Sequence, residues 1–429
     1  MTRNQKGLVS LSPLLVFLLV YSVTSIAASD FYKVPITVAF LIASAYGVAV
    51  VGKGSLDERT STFCKGAGTD NVMLMLLIFI LAGAFATAAK AMGSIDATVN
   101  LTLSIVPGYM ILAGLFAAAC FISLSIGTSV GTIVALVPIA AGLAEKTDES
   151  AVFLTAVVVG GAFFGDNLSF ISDTTIVATK TQGCKMKDKF RANLPIVAPA
   201  ALAVFALYIV LGLHTTSPAQ LQDVNLLKVL PYIIVLVTAI VGLNVMAVLV
   251  LGLISCAVIG LLDGSYNVYG LFSAMGDGIM VMSELIIVTV LAAGLLAIIK
   301  EAGGIDFIIE KMTKHITGKR GAELSIGFLV ALVDVCTANN TIAILTVGDI
   351  SRHISEKYGV DPRKAASILD TFSCAMQGLI PYGAQILIAS GLAKVNPIEI
   401  LPHLYYPILM GIMGIGSILF RYPRKYSCQ

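Results

Sequence analysis

Long apolar stretches separated by short polar links run along the whole chain. In the first half they cover approximately residues 11–27, 34–51, 72–89, 103–123, 126–144, 151–179 and 194–213. In the second half they cover approximately residues 229–243, 245–262, 279–299, 324–336, 341–350, 365–392 and 402–420. Several reach or exceed the ~18 to 20 residues that cross a bilayer as a helix, whereas a membrane β-barrel would show ~10-residue alternating segments. The pattern predicts an all-α polytopic membrane protein.

The composition agrees with this class and limits the ligands that the chain is expected to bind. Of the 429 residues, 57% are hydrophobic and 12% are charged, and the net charge is +2, so no overall field favours nucleic acid. The seven cysteines are scattered, without a C-x-x-C pair or a Cys/His cluster, which argues against disulfides and a zinc site. We expect lipid as the surrounding partner, no nucleic acid and no cofactor.

The basic residues predict the orientation of the chain in the membrane. Lys and Arg concentrate at the amino terminus and in 53–65, 180–191, 300–320, 352–364 and 421–425. The positive-inside rule places all of these segments in the cytoplasm, and the basic-poor links between them outside. The expectation is a multi-pass protein of a prokaryotic cell membrane with both termini cytoplasmic.

A weak internal repeat appears at an offset of about 210 residues. It places Lys90-Ala-Met-Gly-Ser-Ile-Asp96 over Lys300-Glu-Ala-Gly-Gly-Ile-Asp306. In the charge pattern, segment 53–65 lies inside while its counterpart 263–272 lies outside. This predicts two inverted-topology repeats, 1–220 and 221–429, an arrangement typical of secondary transporters.

Two pairs of polar interruptions occupy matching positions of the two halves. Gly165-Asp-Asn-Leu-Ser-Phe-Ile-Ser-Asp-Thr-Thr175 and Gln377-Gly-Leu-Ile-Pro-Tyr-Gly-Ala-Gln385 each interrupt a run that is too long for one straight span, which predicts broken helices. Segments 125–132 and 334–341 each separate two apolar arms. Each of these is either the tip of a re-entrant hairpin or the link between two full crossings.

The interruptions carry carboxylates, hydroxyls and amides, which together suit a hard cation. The candidate ion or solute ligands are Asp166, Asn167, Ser169, Ser172, Asp173, Thr174, Thr128, Thr132, Asp334, Asn339, Asn340, Thr341, Gln377 and Gln385. A charged side chain at membrane depth is a functional candidate by default, so sodium is predicted at Asp166, Asp173 and Asp334, the acids expected deepest. The alternative is that these groups only join helices. Asp370 is expected near a span end, solvated or paired with a base.

The segment 165–175 resembles the G-D-x-x-S-x-x-S-D-T-T segment of the NhaC family of sodium/proton antiporters, and segments 361–370 and 377–385 are similar to that family as well. The resemblance implies about five transmembrane helices plus a re-entrant hairpin in each repeat, where the apolar pattern alone also allows seven crossings. It further implies a dimer-forming scaffold and an elevator-type transport part. By the same resemblance, Asp166, Ser169, Ser172, Asp173 and Thr174 belong to the ion site.

Two functions remain open at this point. One is Na+/H+ antiport at buried carboxylates. The other is sodium-coupled transport of a small organic acid or amino acid. The donors for the carboxylate of such a solute would be Asn339, Asn340, Gln377, Tyr382 and Gln385. Catalysis is disfavoured, because an intramembrane aspartyl protease needs G-x-G-D and Phe163 occupies the position of the first glycine.

Overall fold

The computed structural model describes residues 3–28, 35–51, 53–170, 172–215, 225–313 and 316–427. The helices of the first half are α1 Arg3–Ala28, α2 Ile36–Tyr46, α3 Leu56–Ala67, α4 Asp70–Met92, α5 Ser94–Ile105, α6 Ile111–Ile126, α7 Ser129–Lys146, α8 Ala151–Leu168, α9 Asp173–Gln182 and α10 Met186–Gly212. A π-helical turn, Gly47–Val51, extends α2, and a 3-10 turn, Gly108–Met110, precedes α6.

The second half continues the helical pattern. Its helices are α11 Leu226–Ile240, α12 Val245–Leu262, α13 Val268–Val281, α14 Ser283–Glu301, α15 Gly304–Thr313, α16 Gly318–Thr337, α17 Asn340–Tyr358, α18 Pro362–Gln377, α19 Ala384–Ala393, α20 Pro397–Ile400, α21 Tyr405–Leu419 and α22 Arg424–Ser427. A 3-10 turn, Leu401–His403, follows α20.

Several helices are long and apolar enough to cross a bilayer. Among the described residues there are seven such helices, or eight if the pair Ala384–Ala393 and Pro397–His403, bent by 104°, forms one span. Ser129–Lys146, which the sequence left open between crossing and re-entry, is among the seven. The prediction of an all-helical polytopic membrane protein is confirmed, while the number of spans in each half stays a prediction.

Both predicted breaks occur, and local chemistry accounts for them. The chain leaves α8 at Ser169, which has extended dihedrals, and enters α9 after Ser172, which is also extended. In the second half, α18 ends at Gln377 and α19 begins at Ala384. Pro381, which has no N–H to continue a helix, lies in that gap. The breaks leave helix ends inside the protein, where they can face a ligand.

The two tips turn through left-handed backbone. Gly127, between α6 and α7, has a φ of 74°, and Ala338, between α16 and α17, has a φ of 49°. Asn339 then caps α17 by accepting from the Ile342 N–H at 3.0 Å. Asp334, expected in the tip, lies instead in the last turn of α16.

Helix α8 packs unusually close to α6 because two of its contact positions are glycines. A Cβ on Gly165 would lie 2.3 Å from the Leu124 nitrogen, and one on Gly161 would lie 2.7 Å from the Phe116 carbonyl oxygen. Both distances are far below van der Waals contact. Glycine at these two positions therefore allows the end of α8, and the break that follows it, to lie close to α6.

The same order of elements occurs twice along the described chain. In each half a long helix is followed by a short one, then a pair joined by a tip, a broken pair and a further apolar helix. The glycines of the repeated sequence segments also adopt the same conformation, with φ of 81° at Gly93 and 88° at Gly303. The predicted boundary at residue 220 lies outside the described residues, and opposite orientation of the halves stays a prediction.

Candidate functional site

Both breaks and both tips meet at one cavity of about 410 Å3. Its polar lining includes Thr128, Ser129, Asp166, Asp173, Thr174, Asn339, Asn340, Thr341, Gln377 and Gln385. Its apolar lining includes Leu74, Met75, Ile78, Leu243, Val245 and Ile388. Nine of the fourteen side chains chosen from the sequence thus share one space, although they are spread over more than 250 residues of chain.

Asp166 is the buried carboxylate of this cavity, with 6% of its surface exposed. It accepts hydrogen bonds from the Ser172 hydroxyl at 2.8 Å and the Ser129 hydroxyl at 2.9 Å, and a longer one from the Asn340 amide at 3.4 Å. An ionised carboxylate only accepts hydrogen bonds, so three donors match the charged form. Ser129 was not among the residues chosen from the sequence, because a lone serine in a tip carries no signal of its own.

A chain of hydrogen bonds links the second break to Asp166. The Gln377 side-chain N–H2 donates to the Ala338 carbonyl at 3.1 Å and to the Gln385 carbonyl at 2.8 Å. The Gln385 N–H2 donates to the Ser129 hydroxyl at 3.2 Å, and Ser129 donates to Asp166. This amide chain, Gln377–Gln385–Ser129, connects elements from both halves of the protein.

Asp173 lies at the same cavity but in a different environment from the one expected. It is the first residue of α9, and its side chain is exposed rather than buried. It is therefore not enclosed by protein as Asp166 is, while its depth in the membrane stays a prediction. The reason is that the break opens the start of α9 to the cavity, where a carboxylate is stabilised by the helix dipole. Its neighbour Thr174 is buried and donates to the Asp166 carbonyl at 3.3 Å.

The remaining predicted ligands do not line the cavity. Ser169 donates to the Leu124 carbonyl at 2.9 Å, and Thr132 donates to the Thr128 carbonyl at 3.2 Å. Ser169 therefore joins two helices, as the alternative interpretation held, whereas Thr132 bonds within the first turn of α7. Asp334 is fully buried, and neither of its carboxylate oxygens has a hydrogen-bond partner among the described residues. It does not share the cavity with Asp166.

Behind the first break lies a buried ion pair whose two partners the sequence did not identify. Lys189 of α10 and Asp370 of α18 contact each other with 1% and 0% of their side chains exposed. Asp370 is therefore paired with a base, one of the two environments expected for it, but it lies in the middle of α18 rather than at a span end. Lys189 is buried, although it belongs to a basic segment expected at the cytoplasmic face. The available signal was the polar stripe Ser367, Asp370, Thr371 and Cys374, whose spacing of three and four puts it on one face of α18.

Asn193 and Asn167 complete this buried polar layer. The Asn193 N–H2 donates to the Asn167 side-chain oxygen at 2.6 Å, and its own oxygen accepts from Ser367 at 2.9 Å and Thr371 at 2.8 Å. Asn167 therefore faces away from the cavity and holds α10 and α18 against the end of α8. Its side-chain oxygen is thus engaged in packing rather than directed to the cavity, and its amide nitrogen has no hydrogen-bond partner among the described residues.

The cavity offers hard oxygen ligands together with several helix N-termini. The described residues contain no group of three His, Cys, Asp or Glu side chains able to hold a metal ion. Helices α7, α9, α17 and α19 each begin at this cavity, and the N-terminal ends of helices favour negative charge. The arrangement combines one buried carboxylate for a cation with surroundings that also tolerate an anionic group.

Comparisons with known proteins place the chain in a family. The model of the Na+/H+ antiporter family matches residues 7–213 and 221–422. An uncharacterized Na+/H+ antiporter of Haemophilus influenzae is 22% identical over 97% of this chain and 97% of its own. The Na+/H+ antiporter NhaC of Alkalihalophilus pseudofirmus is 22% identical over 89% of this chain and 90% of its own. The malate-2H+/Na+-lactate antiporter of Bacillus subtilis is 21% identical over 84% and 83%, respectively.

The family match covers nearly the whole chain, and it confirms the resemblance carried by segment 165–175. Its relatives include transporters of ions and transporters of organic acids. The chain belongs to the Na+/H+ antiporter family, and it is a multi-pass secondary transporter rather than an enzyme.

Proposed function

We propose that this protein exchanges Na+ for H+ across a prokaryotic cell membrane, with Asp166 as the exchangeable site. The observation that carries the proposal is the setting of Asp166, a buried carboxylate in the last turn of α8, at the first break, that lines a cavity and receives three hydrogen bonds. Sodium would take oxygen ligands from Asp166 and neighbouring hydroxyls. Asp173 at the exposed start of α9 would attract cations towards it.

Competition at Asp166 supplies the coupling. When the carboxylate is protonated it loses its charge and becomes a hydrogen-bond donor, so at least one of its present donors must turn away. Sodium binds the charged form, and one proton must leave before one sodium ion can bind. Each cycle of alternating access would then carry sodium in one direction and a proton in the other.

The proposal is tested in proteoliposomes that contain a pH dye and receive pulses of sodium without any organic solute. We expect proton movement on each pulse, opposite to sodium. Below the pH at which the site protonates, the sodium KM should rise about tenfold per pH unit, as displacement of a single proton requires. A dye that stays silent until an organic solute is added would overturn antiport as the activity.

A second candidate is sodium-coupled exchange of a small organic acid or amino acid. The cavity volume of about 410 Å3 favours it, because that is within the range of small-molecule sites and far above the need of a bare ion. The four helix N-termini suit the carboxylate of such a solute. The buried Gln377 side-chain oxygen, which has no partner among the described residues, is an acceptor for an N–H or O–H group of the solute. A solute requirement in the proteoliposome experiment would select this candidate.

The architecture that we propose for this cycle is a pair of inverted repeats with an elevator-type transport part. Chemical labelling can test it. The repeated order of elements and the matching conformations of Gly93 and Gly303 support it. In a cysteine-free background, Lys53→Cys and Gly264→Cys introduce thiols at exposed turns of the two halves. An impermeant maleimide should label position 264 in intact cells and position 53 only after permeabilisation, because inverted halves place these turns on opposite faces. Labelling of both from one side would contradict the inverted repeat.

We also propose that the protein forms a homodimer in the lipid membrane and that both of its termini are cytoplasmic.

A further inference from the structure

The Lys189 ammonium is surrounded by oxygen atoms from three different elements. It donates to the Asn167 carbonyl at the end of α8, to the Thr175 hydroxyl of α9 at 3.0 Å, and to the Asp370 carboxylate of α18. Thr175 also donates to the same Asp370 oxygen at 3.0 Å. The cluster is closed to solvent, with Lys189 1% exposed and Asp370 fully buried.

These three acceptors are the kinds of ligand that a small hard cation takes. A backbone carbonyl at the end of a broken helix, a hydroxyl and a carboxylate are hard oxygen donors, and the C-terminal end of a helix adds partial negative charge. An ammonium is a compact point charge with three donors and no acceptor. Its position among these oxygens is the position that a free cation would occupy.

We propose that Asn167 O, Thr175 Oγ1 and Asp370 form a second cation site whose occupant is the chain's own Lys189 ammonium. Without that ammonium the site takes a small monovalent cation such as sodium. The chain then carries one exchangeable site, at Asp166, and one fixed positive charge beside the first break. The inference rests on the proposed function only in taking Asp166 as the exchangeable site.

If the ion pair were purely structural, removal of Lys189 would have a different result. Asn193 donates to the Asn167 side-chain oxygen, and Ser367 and Thr371 donate to the Asn193 oxygen, so these bonds of the layer do not depend on Lys189. A structural pair would lose stability when Lys189 is removed and gain no affinity for ions. A cation site would lose the tethered charge and bind a free one in its place.

The experiment measures radioactive sodium bound to the purified full chain in choline chloride, with Asp166→Asn as the background that removes the exchangeable site. We expect about one bound sodium per wild-type chain and none in Asp166→Asn, by the proposed function. Asp166→Asn/Lys189→Ala is expected to regain about one sodium per chain. Asp166→Asn/Lys189→Ala/Asp370→Asn, which lacks the carboxylate of the second site, is the matched control and should bind none.

Each comparison tests a separate claim. The difference between wild type and Asp166→Asn tests the proposed function, and the increment on adding Lys189→Ala tests the second cation site whichever way the first comparison falls. No increment, or an increment that survives Asp370→Asn, overturns the inference. Removing one partner of a buried ion pair is strongly destabilising, so all variants are prepared in sodium. If a protein carrying Lys189→Ala accumulates only when Asp370→Asn is also present, although sodium was supplied, then sodium does not replace the ammonium and the inference also fails.

Discussion

Asp166→Asn is expected to abolish sodium transport while leaving the protein inserted and folded. Asparagine keeps the size of aspartate, and it can accept from one of the Ser129 and Ser172 hydroxyls and donate to the other. It carries no charge, however, to exchange between sodium and a proton. Loss of one partner from a buried charge interaction costs about 2–5 kcal/mol, which corresponds to a drop in sodium affinity of roughly 30-fold or more. Sodium uptake into proteoliposomes measures the effect.

The matched control is Asp349→Asn, the same change at an exposed position of α17 that does not line the cavity. It should transport at the wild-type rate. Uptake by Asp166→Asn at a rate similar to the control would remove Asp166 from the transport site and leave Asp173 as the cavity's carboxylate.

Gly165→Ala is expected to be the most damaging single-methyl change near the site. The added carbon would lie 2.3 Å from the Leu124 backbone nitrogen, so α8 must move away from α6 and carry Asp166 with it. Overpacking of this kind costs about 1–3 kcal/mol, and a displaced Asp166 should also lower the transport rate. Thermal unfolding in detergent, together with sodium uptake, measures the two effects.

Gly416→Ala is the control for the added methyl itself. It lies in α21 with no atom within 4 Å of the position a Cβ would take, so alanine should stabilise by up to about 1 kcal/mol through helix propensity. If both variants unfold at the wild-type temperature, the close contact of α8 with α6 is not what holds the first break in place.

The sequence predicted the positions of both breaks because each leaves a local mark. Two acids, an amide and four hydroxyls within segment 165–175, or a proline with glycines within 377–385, cannot continue an apolar helix without cost. Asp166 was identified for the same reason. The exposure of Asp173 could not be predicted, because whether the start of α9 faces protein or a cavity depends on where the tips of the other half lie.

Lys189 shows a different limit of prediction. A lysine within a cluster of basic residues is ordinarily solvated, and its neighbours Lys185 and Lys187 are exposed here. Only the folded arrangement brings α10 beside the end of α8 and the polar face of α18, where Asp370 compensates the buried charge. The pairing joins residues 181 positions apart, and no local pattern encodes it.

The amide chain from Gln377 through Gln385 to Ser129 limits the paths by which, in the proposed exchange, a proton would reach Asp166. Amide side chains donate and accept hydrogen bonds but do not release and recapture protons as water or a carboxylic acid does. The chain can orient Ser129 towards the carboxylate, yet it is not a proton wire through the second half of the protein. In the exchange proposed above, protons would then reach Asp166 through the cavity that also receives sodium. A shared entrance would keep the two ions from crossing the membrane by separate paths, and so protect the coupling from leakage.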